Sequence, residues 1–482
     1  MYSFSLSIAS LSATLLASFV AASPTPSAFD TNQFSPKDII TRDVAVIGGG
    51  SSGTYSTFSL IDKGKSVVVI EKQGRLGGHT ASYTDPVSGN TTEIGVQIYH
   101  DMDIVRDYFG RFDIPVYLNP GFFPSLANYD YRTGDEVDLE FQPSQEEITA
   151  AFAIWTEHLA KYPELDTEIS LPDPVPEDLY IPLRDFVEKY GIQAAVPTMH
   201  YYNPGVGEIL DNPTFEQMRY WSRIGMVNSI QSGFLSTVRH DSQELYEKAE
   251  VELSATSSLL LNSEVITASR GERGVKLVVR TPEGKKLIIA KKLLIAIPPK
   301  LDFVSPLDLS ETEETLFGKF INAGYYAGIL NHTSFSETAS TSNAAEGEEY
   351  NFPVLPGAYN FSPTLIRGLQ IFHYGTPQGP ESHPISHEDV RAQVLDTIAS
   401  LQAQNPDVFN HTEPEWVAFH DHAPYTLQVS GEEIRDGFYK DLYQLQGQRN
   451  TYWTGAAWRA EDSSLLWKFS EEVVLPQLLA GF

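Results

Sequence analysis

The stretch 43–79, DVAVIGGGSSGTYSTFSLIDKGKSVVVIEKQGRLGGH, decides the architecture. An apolar run, Asp43 to Ile47, enters Gly48-x-Gly50-x-x-Gly53; an amphipathic segment follows to Lys63, and a second apolar run, Ser66 to Ile70, ends at Glu71. Strand, glycine turn, helix and strand in this order predict a βαβ unit that binds a dinucleotide. Gly48 permits the tight turn, Gly50 lets the backbone approach a pyrophosphate, and Gly53 lets helix and strand pack closely. The pyrophosphate would sit at the helix N-terminus, where Ser52 lies, on free N–H groups and the positive end of the dipole. Glu71, followed by Lys72, is placed to accept hydrogen bonds from a ribose diol, which favours a ligand without a 2′-phosphate.

The chain of 482 residues is too long for one ordinary domain. Its formal net charge of −30 argues against nucleic acid and against anionic membrane surfaces as partners. There is no cysteine, which excludes disulfides, thiolate metal sites and a cysteinyl link to a cofactor. No HExxH spacing appears, and no metal site is expected.

Residues 4–20, FSLSIASLSATLLASFV, form a short apolar run followed by Ala21-Ala22-Ser23-Pro24. This reads as a secretory signal over 1–22, too short and serine-rich for a transmembrane anchor, and residues 23–41 read as a flexible leader. Sequons at Asn90, Asn331, Asn360 and Asn410 agree with a secreted or secretory-pathway glycoprotein.

Further along, Glu93-Ile94-Gly95-Val96-Gln97-Ile98-Tyr99 reads as a strand interrupted by glycine. Residues 101–232 turn to longer helical patterns rich in aromatics, as expected of an inserted domain. From 233 to 300 come a helix-like stretch, a strand containing Val265, a hairpin turning at Pro282-Glu283-Gly284, and a buried strand, Leu293 to Ile297, stopped by two prolines. Residues 301–430 form a second inserted stretch. At the end, Thr451-Tyr452-Trp453-Thr454-Gly455-Ala456-Ala457 is a strand entering a glycine turn, and Asp462-Ser463-Ser464-Leu465 precedes a final helix, a pattern that capping alone would also explain.

Three motifs, Arg75-Leu76-Gly77-Gly78-His79, Gly95-Val96-Gln97 and Tyr452-Trp453-Thr454-Gly455-Ala456-Ala457, resemble the FAD enzymes of the flavin-containing amine oxidase superfamily, and within it fungal FAD oxidoreductases. The resemblance implies an α/β fold: a Rossmann-type FAD-binding domain assembled from 42–100, 233–300 and 431–482, interwoven with an α+β substrate-binding domain from 101–232 and 301–430. It implies that Arg75 holds polar groups of FAD, that Gly95, Val96 and Gln97 approach the flavin, that Val265 meets the adenine through its backbone, and that Gly455, Ala456, Ser464 and Leu465 flank the flavin. The final helix would stabilise negative charge on the reduced ring. Alignment puts Leu465 where amine oxidases carry a tyrosine of the substrate cage. It puts Asn322 where they carry a lysine near flavin N5, with Lys319 a substitute if the register slips. His79 stands where an arginine is usual, as a covalent attachment point or a hydrogen-bonded neighbour.

The activity implied is hydride transfer from a C–H of an apolar or indolic small molecule to flavin N5, with Gln97, Lys319, Asn322 and Leu465 near the chemistry and molecular oxygen as the electron acceptor. Two alternatives are a flavin-dependent double-bond isomerase of polyunsaturated fatty acids and a non-catalytic binding protein that keeps the fold.

Overall fold

The computed structural model describes residues 28–119 and 125–482; the expected signal segment 1–22 and the first part of the leader lie outside them. A seven-stranded sheet is built around β1 (Ile39–Ile47) and β2 (Val67–Ile70), joined by α1 (Ser51–Asp62). Val44, Ala45 and Val46 and the whole of β2 are buried, as expected of parallel strands covered on both faces and therefore apolar without alternation. β3 (Leu259–Leu260) extends the sheet beyond β2, while β4 (Glu264–Gly271), β5 (Gly274–Thr281) and β6 (Gly284–Ile295) form an antiparallel meander on the other side. The order is β3-β2-β1-β6-β5-β4, and β6 runs parallel to β1 from Ile39↔Leu287 to Ile47↔Ile295.

A second sheet carries β7 (Tyr325–Asn331), β8 (Ala339–Asn343), β9 (Gly357–Pro363), β10 (Leu369–Gly375) and β11 (Glu415–Asp421). Its order is β11-β7-β10-β9-β8, closed by Ser125–Tyr129. One face packs on the helix His387–Gln404 through Tyr326, Phe361, Phe372, Val390, Val394 and Ile398. The chain then returns to the first sheet through β12 (Thr451–Trp453), parallel to β6, and ends in α2 (Ser463–Phe469), which continues as a π turn and a last helical segment to Ala480. The parallel α/β sheet interwoven with a mixed sheet and helices is the predicted fold class. No helix among the described residues is long and apolar enough to cross a membrane.

Candidate active site

The C-terminal ends of β1, β2 and β6 and the exposed face of the second sheet enclose a cavity of about 1310 Å³. That exceeds the roughly 300–1,000 Å³ that encloses one drug-sized ligand, so it has room for a large cofactor and a second molecule.

At the dinucleotide end, Gly48 turns with φ +99°, and a Cβ on Gly53 would fall 2.0 Å from the Gly48 carbonyl oxygen. Gly53 therefore serves the contact between α1 and the strand, while Gly48, Gly50 and Ser52 line the cavity. The 77–78 loop closes against this turn: the Gly77 N–H donates to the Gly49 carbonyl at 2.9 Å, and a Cβ on Gly78 would lie 3.1 Å from Gly50 Cα. A side chain on Gly78 would therefore crowd Gly50. Glu71 is fixed by the Gly49 and Gln73 N–H groups, each donating at 2.7 Å, and lines the cavity with Lys72, Gly77, Gly78 and Val265. Gly95 is required where it stands, because a Cβ there would meet the His79 carbonyl oxygen at 1.8 Å; Gly95, Val96 and Gln97 follow along the wall.

Beside this glycine turn, the N-termini of α1 and α2 converge. Ser51 Oγ donates to Ser463 Oγ at 2.8 Å and receives the Trp467 indole N–H at 2.9 Å. Asp462 caps α2 by accepting from the Leu465 N–H at 2.9 Å, and Gly455, Ala456 and Ser463 line the cavity beside it. Two helix N-termini aimed at one point favour electron-rich groups there. Both the glycine cradle and this positive end fit a dinucleotide that also carries a reducible ring.

Several sequence expectations need correction. Arg75 does not line the cavity: its guanidinium donates to the carbonyls of Leu76, Gly78 and Thr80 and to Gln243, so it holds the glycine loop in shape. Lys319 is held by Glu433 at 2.5 Å, outside the cavity wall. Asn322 is fully buried and spends its amide on the carbonyls of Ala323, Glu381 and Ser382. Leu465 packs towards Gly225 and away from the cavity, which Leu466 lines instead. Ser464 is also turned inward, its Oγ accepting from the His100 N–H at 3.0 Å. Asn360 lines the cavity and bonds His373, so it is not presented as a glycan acceptor; Asn90 and Asn410 are exposed, and Asn331 is half-buried.

The substrate side was largely missed from sequence. His79 meets His422 edge-to-face with centroids 5.0 Å apart, and Tyr220, Tyr325 and Tyr425 complete an aromatic lining. Burial holds His79 near pKa 4, hence neutral. Glu461 also faces this space, held by the Thr426 N–H at 3.1 Å, and burial pushes its pKa up to about 7. His100 Nε2 lies 2.8 Å from Asp462 Oδ2. Burial opposes ionisation of Asp462, but His100 and the capping N–H outweigh it and hold the carboxyl below its usual range. The sequence did offer one signal for Glu461, an acid beside the cap of the last helix.

Fold and site together define a dinucleotide-binding oxidoreductase. Residues 57–463 match the family described as flavin containing amine oxidoreductase. The chain is 50% identical to the FAD-dependent oxidoreductase oblC of Cochliobolus heterostrophus, covering 98% of this chain and 99% of that protein. It is 32% identical to the beta-cyclopiazonate dehydrogenase of Aspergillus oryzae over 92% and 94% of the two chains. Among solved structures, the CLA-producing fatty acid isomerase from P. acnes superposes with a TM-score of 0.70 at 19% identity, over 90% of this chain and 98% of that one. Putrescine oxidase follows at a TM-score of 0.63 and 14% identity, over 92% and 100%. The chain belongs to the flavin-containing amine oxidoreductase family and is an FAD-dependent oxidoreductase.

Proposed function

We propose that the enzyme removes a hydride equivalent and a proton from an uncharged apolar or indolic small molecule of fungal secondary metabolism. FAD, when bound, supplies the acceptor for the hydride. The observation that carries the reading is Glu461: a cavity-facing carboxylate with one backbone hydrogen bond and a pKa near 7, suited to take the proton from a substrate N–H or O–H as the neighbouring C–H bond is oxidised. The substrate leaves with one more double bond, and the proton passes from Glu461 to water. Tyr220, Tyr325, Tyr425 and neutral His79 line the chamber with uncharged ring surfaces that suit an apolar or indolic substrate.

Molecular oxygen is the proposed final electron acceptor. The proposed secretory route is supported by the apolar run and small-residue site at 4–23, and N-terminal sequencing of mature protein checks it: a start near Ser23 is expected, and retention of residues 1–22 contradicts it. The dehydrogenation is tested by anaerobic mixing of holoenzyme with fractions of a fungal metabolite extract. A fraction that bleaches the flavin and yields a product lighter by two hydrogens supports it; if no fraction does so, the reading fails.

A further inference from the structure

The second sheet gives the cavity one wall of uncharged hydrogen-bonding side chains. On β9, residues alternate across the sheet, so Phe361 enters the core beneath while Asn360 and Ser362 face the cavity. His373 of β10 is the register partner of Asn360, and Ser340 of β8 lines the same wall. Tyr325 lies parallel to the His373 ring, 5° between planes at 6.0 Å, and holds it in place.

The chemistry of this wall follows from one contact. His373 Nδ1 lies 2.9 Å from Asn360 Oδ1, and burial holds the imidazole near pKa 4, so the ring is neutral. An amide oxygen can only accept, so Nδ1 carries the proton and Nε2 is left as an acceptor beside the Asn360 NH₂ donor. Exchanging the amide oxygen and nitrogen reverses both roles and still leaves one donor and one acceptor. Ser340 Oγ adds a buried hydroxyl with no partner among the described residues. The charged lining residue nearest in the sheet, Asp421, is engaged by His383 at 3.1 Å and His387 at 2.7 Å.

We propose that the wall of His373, Asn360, Ser340 and Ser362 recognises an uncharged hydroxyl or enol group on the substrate, which donates to the imidazole and accepts from the amide. None of these four side chains carries a charge, so a cation or an anion placed against this wall would be desolvated without a counter-charge on it. A hydroxyl satisfies both roles at once, and a substrate without one leaves a buried donor and acceptor unpaired. The inference rests on reading this cavity as the substrate chamber of an FAD-dependent dehydrogenase, and it names the group that fixes the substrate's orientation there.

The test is calorimetric titration of the holoenzyme at pH 7 with 5-hydroxyindole, indole and tryptamine. The wild type should bind 5-hydroxyindole about tenfold more tightly than indole, the scale of a hydrogen-bond pair that would otherwise go unmade, with tryptamine weakest. His373→Phe and Asn360→Leu should each bring the hydroxyl preference below about twofold. FAD content and melting temperature report folding, and if one variant does not load cofactor the other carries the test. Equal binding of the two indoles, a preference that survives in both variants, tightest binding of tryptamine, or no binding of any of the three at millimolar concentration overturns the proposal. A wild type that shows the preference while no metabolite reduces its flavin leaves the recognition wall standing and removes the dehydrogenase reading.

Discussion

Glu461→Gln separates the proposed proton acceptor from the rest of the chamber. The substitution keeps volume and hydrogen-bonding capacity but removes the base. Around Glu461, Asp462 is held below its usual range, burial pushes Tyr220 and Tyr425 well up, and His79 and His373 sit near 4, while Glu93 on the cavity wall beside Gly95 is a second carboxyl that burial pushes up to about 7. A carboxyl with a pKa of about 7 should set the pH dependence of flavin reduction near neutrality, and loss of that inflection in Glu461→Gln assigns it to Glu461 and not to Glu93. In the wild type the rate should climb about tenfold per pH unit from pH 5 to 7 and level off above, a total of about a hundredfold. In Glu461→Gln the plateau should fall by about 10²–10⁴ and the profile should flatten. Anaerobic stopped-flow recording of flavin bleaching with a purified substrate measures both. A variant that keeps the wild-type rate and the same inflection near 7 refutes the assignment.

The same carboxyl has a stability signature of opposite sense. Its folded pKa lies above its ordinary value of 4.5, so between pH 4.5 and 7 the native state holds more protons than the unfolded state, and this contribution to stability is lost as pH rises through 7. Glu461→Gln should gain on the order of 3 kcal/mol relative to wild type between pH 4.5 and 8, read by denaturant melts; a constant difference contradicts this. Gly53→Ala places a methyl 2.0 Å from the Gly48 oxygen, and the strain should cost about 1–3 kcal/mol or more and lower FAD content, measured by thermal shift and absorbance. Arg75→Met removes the ties to three loop carbonyls and Gln243, so the FAD dissociation constant should rise by about tenfold or more although the arginine lines no part of the cavity. In material recovered from a secretory host, peptide mass spectrometry should find Asn360 unmodified, because it faces the cavity; a glycan there contradicts the placement.

The cofactor half of the molecule was legible because its determinants are local. Gly48, Gly50, Gly53 and Glu71 lie within one βαβ unit, and the tight turn expected of Gly48 and the close packing expected of Gly53 recur in the structure as a φ of +99° and a 2.0 Å approach to the Gly48 oxygen. Gly95 was legible in the same way. The substrate side was not, because Tyr220, Tyr325, Asn360, His373, His422 and Glu461 come together only through the register of the second sheet and the return of the chain at β12. Asn360-Phe361-Ser362 shows the difficulty: the triplet reads as a surface sequon, but the two-residue period of β9 turns both polar side chains into the chamber. Leu465 failed by one position, since neighbouring residues on a helix point about 100° apart and Leu466 takes the cavity face. Lys319 and Asn322 were placed by alignment to a lysine, which carries no information about the ion pair to Glu433 or the carbonyl cluster that occupies them.

The most direct test of net dehydrogenation is the anaerobic visible spectrum of the holoenzyme during turnover of a purified fungal metabolite, with the product weighed by mass spectrometry. The account predicts lasting loss of the flavin band, matched mole for mole by a product lighter by two hydrogens. A product of unchanged mass that accumulates while the band returns to its starting height would contradict it and identify an isomerase.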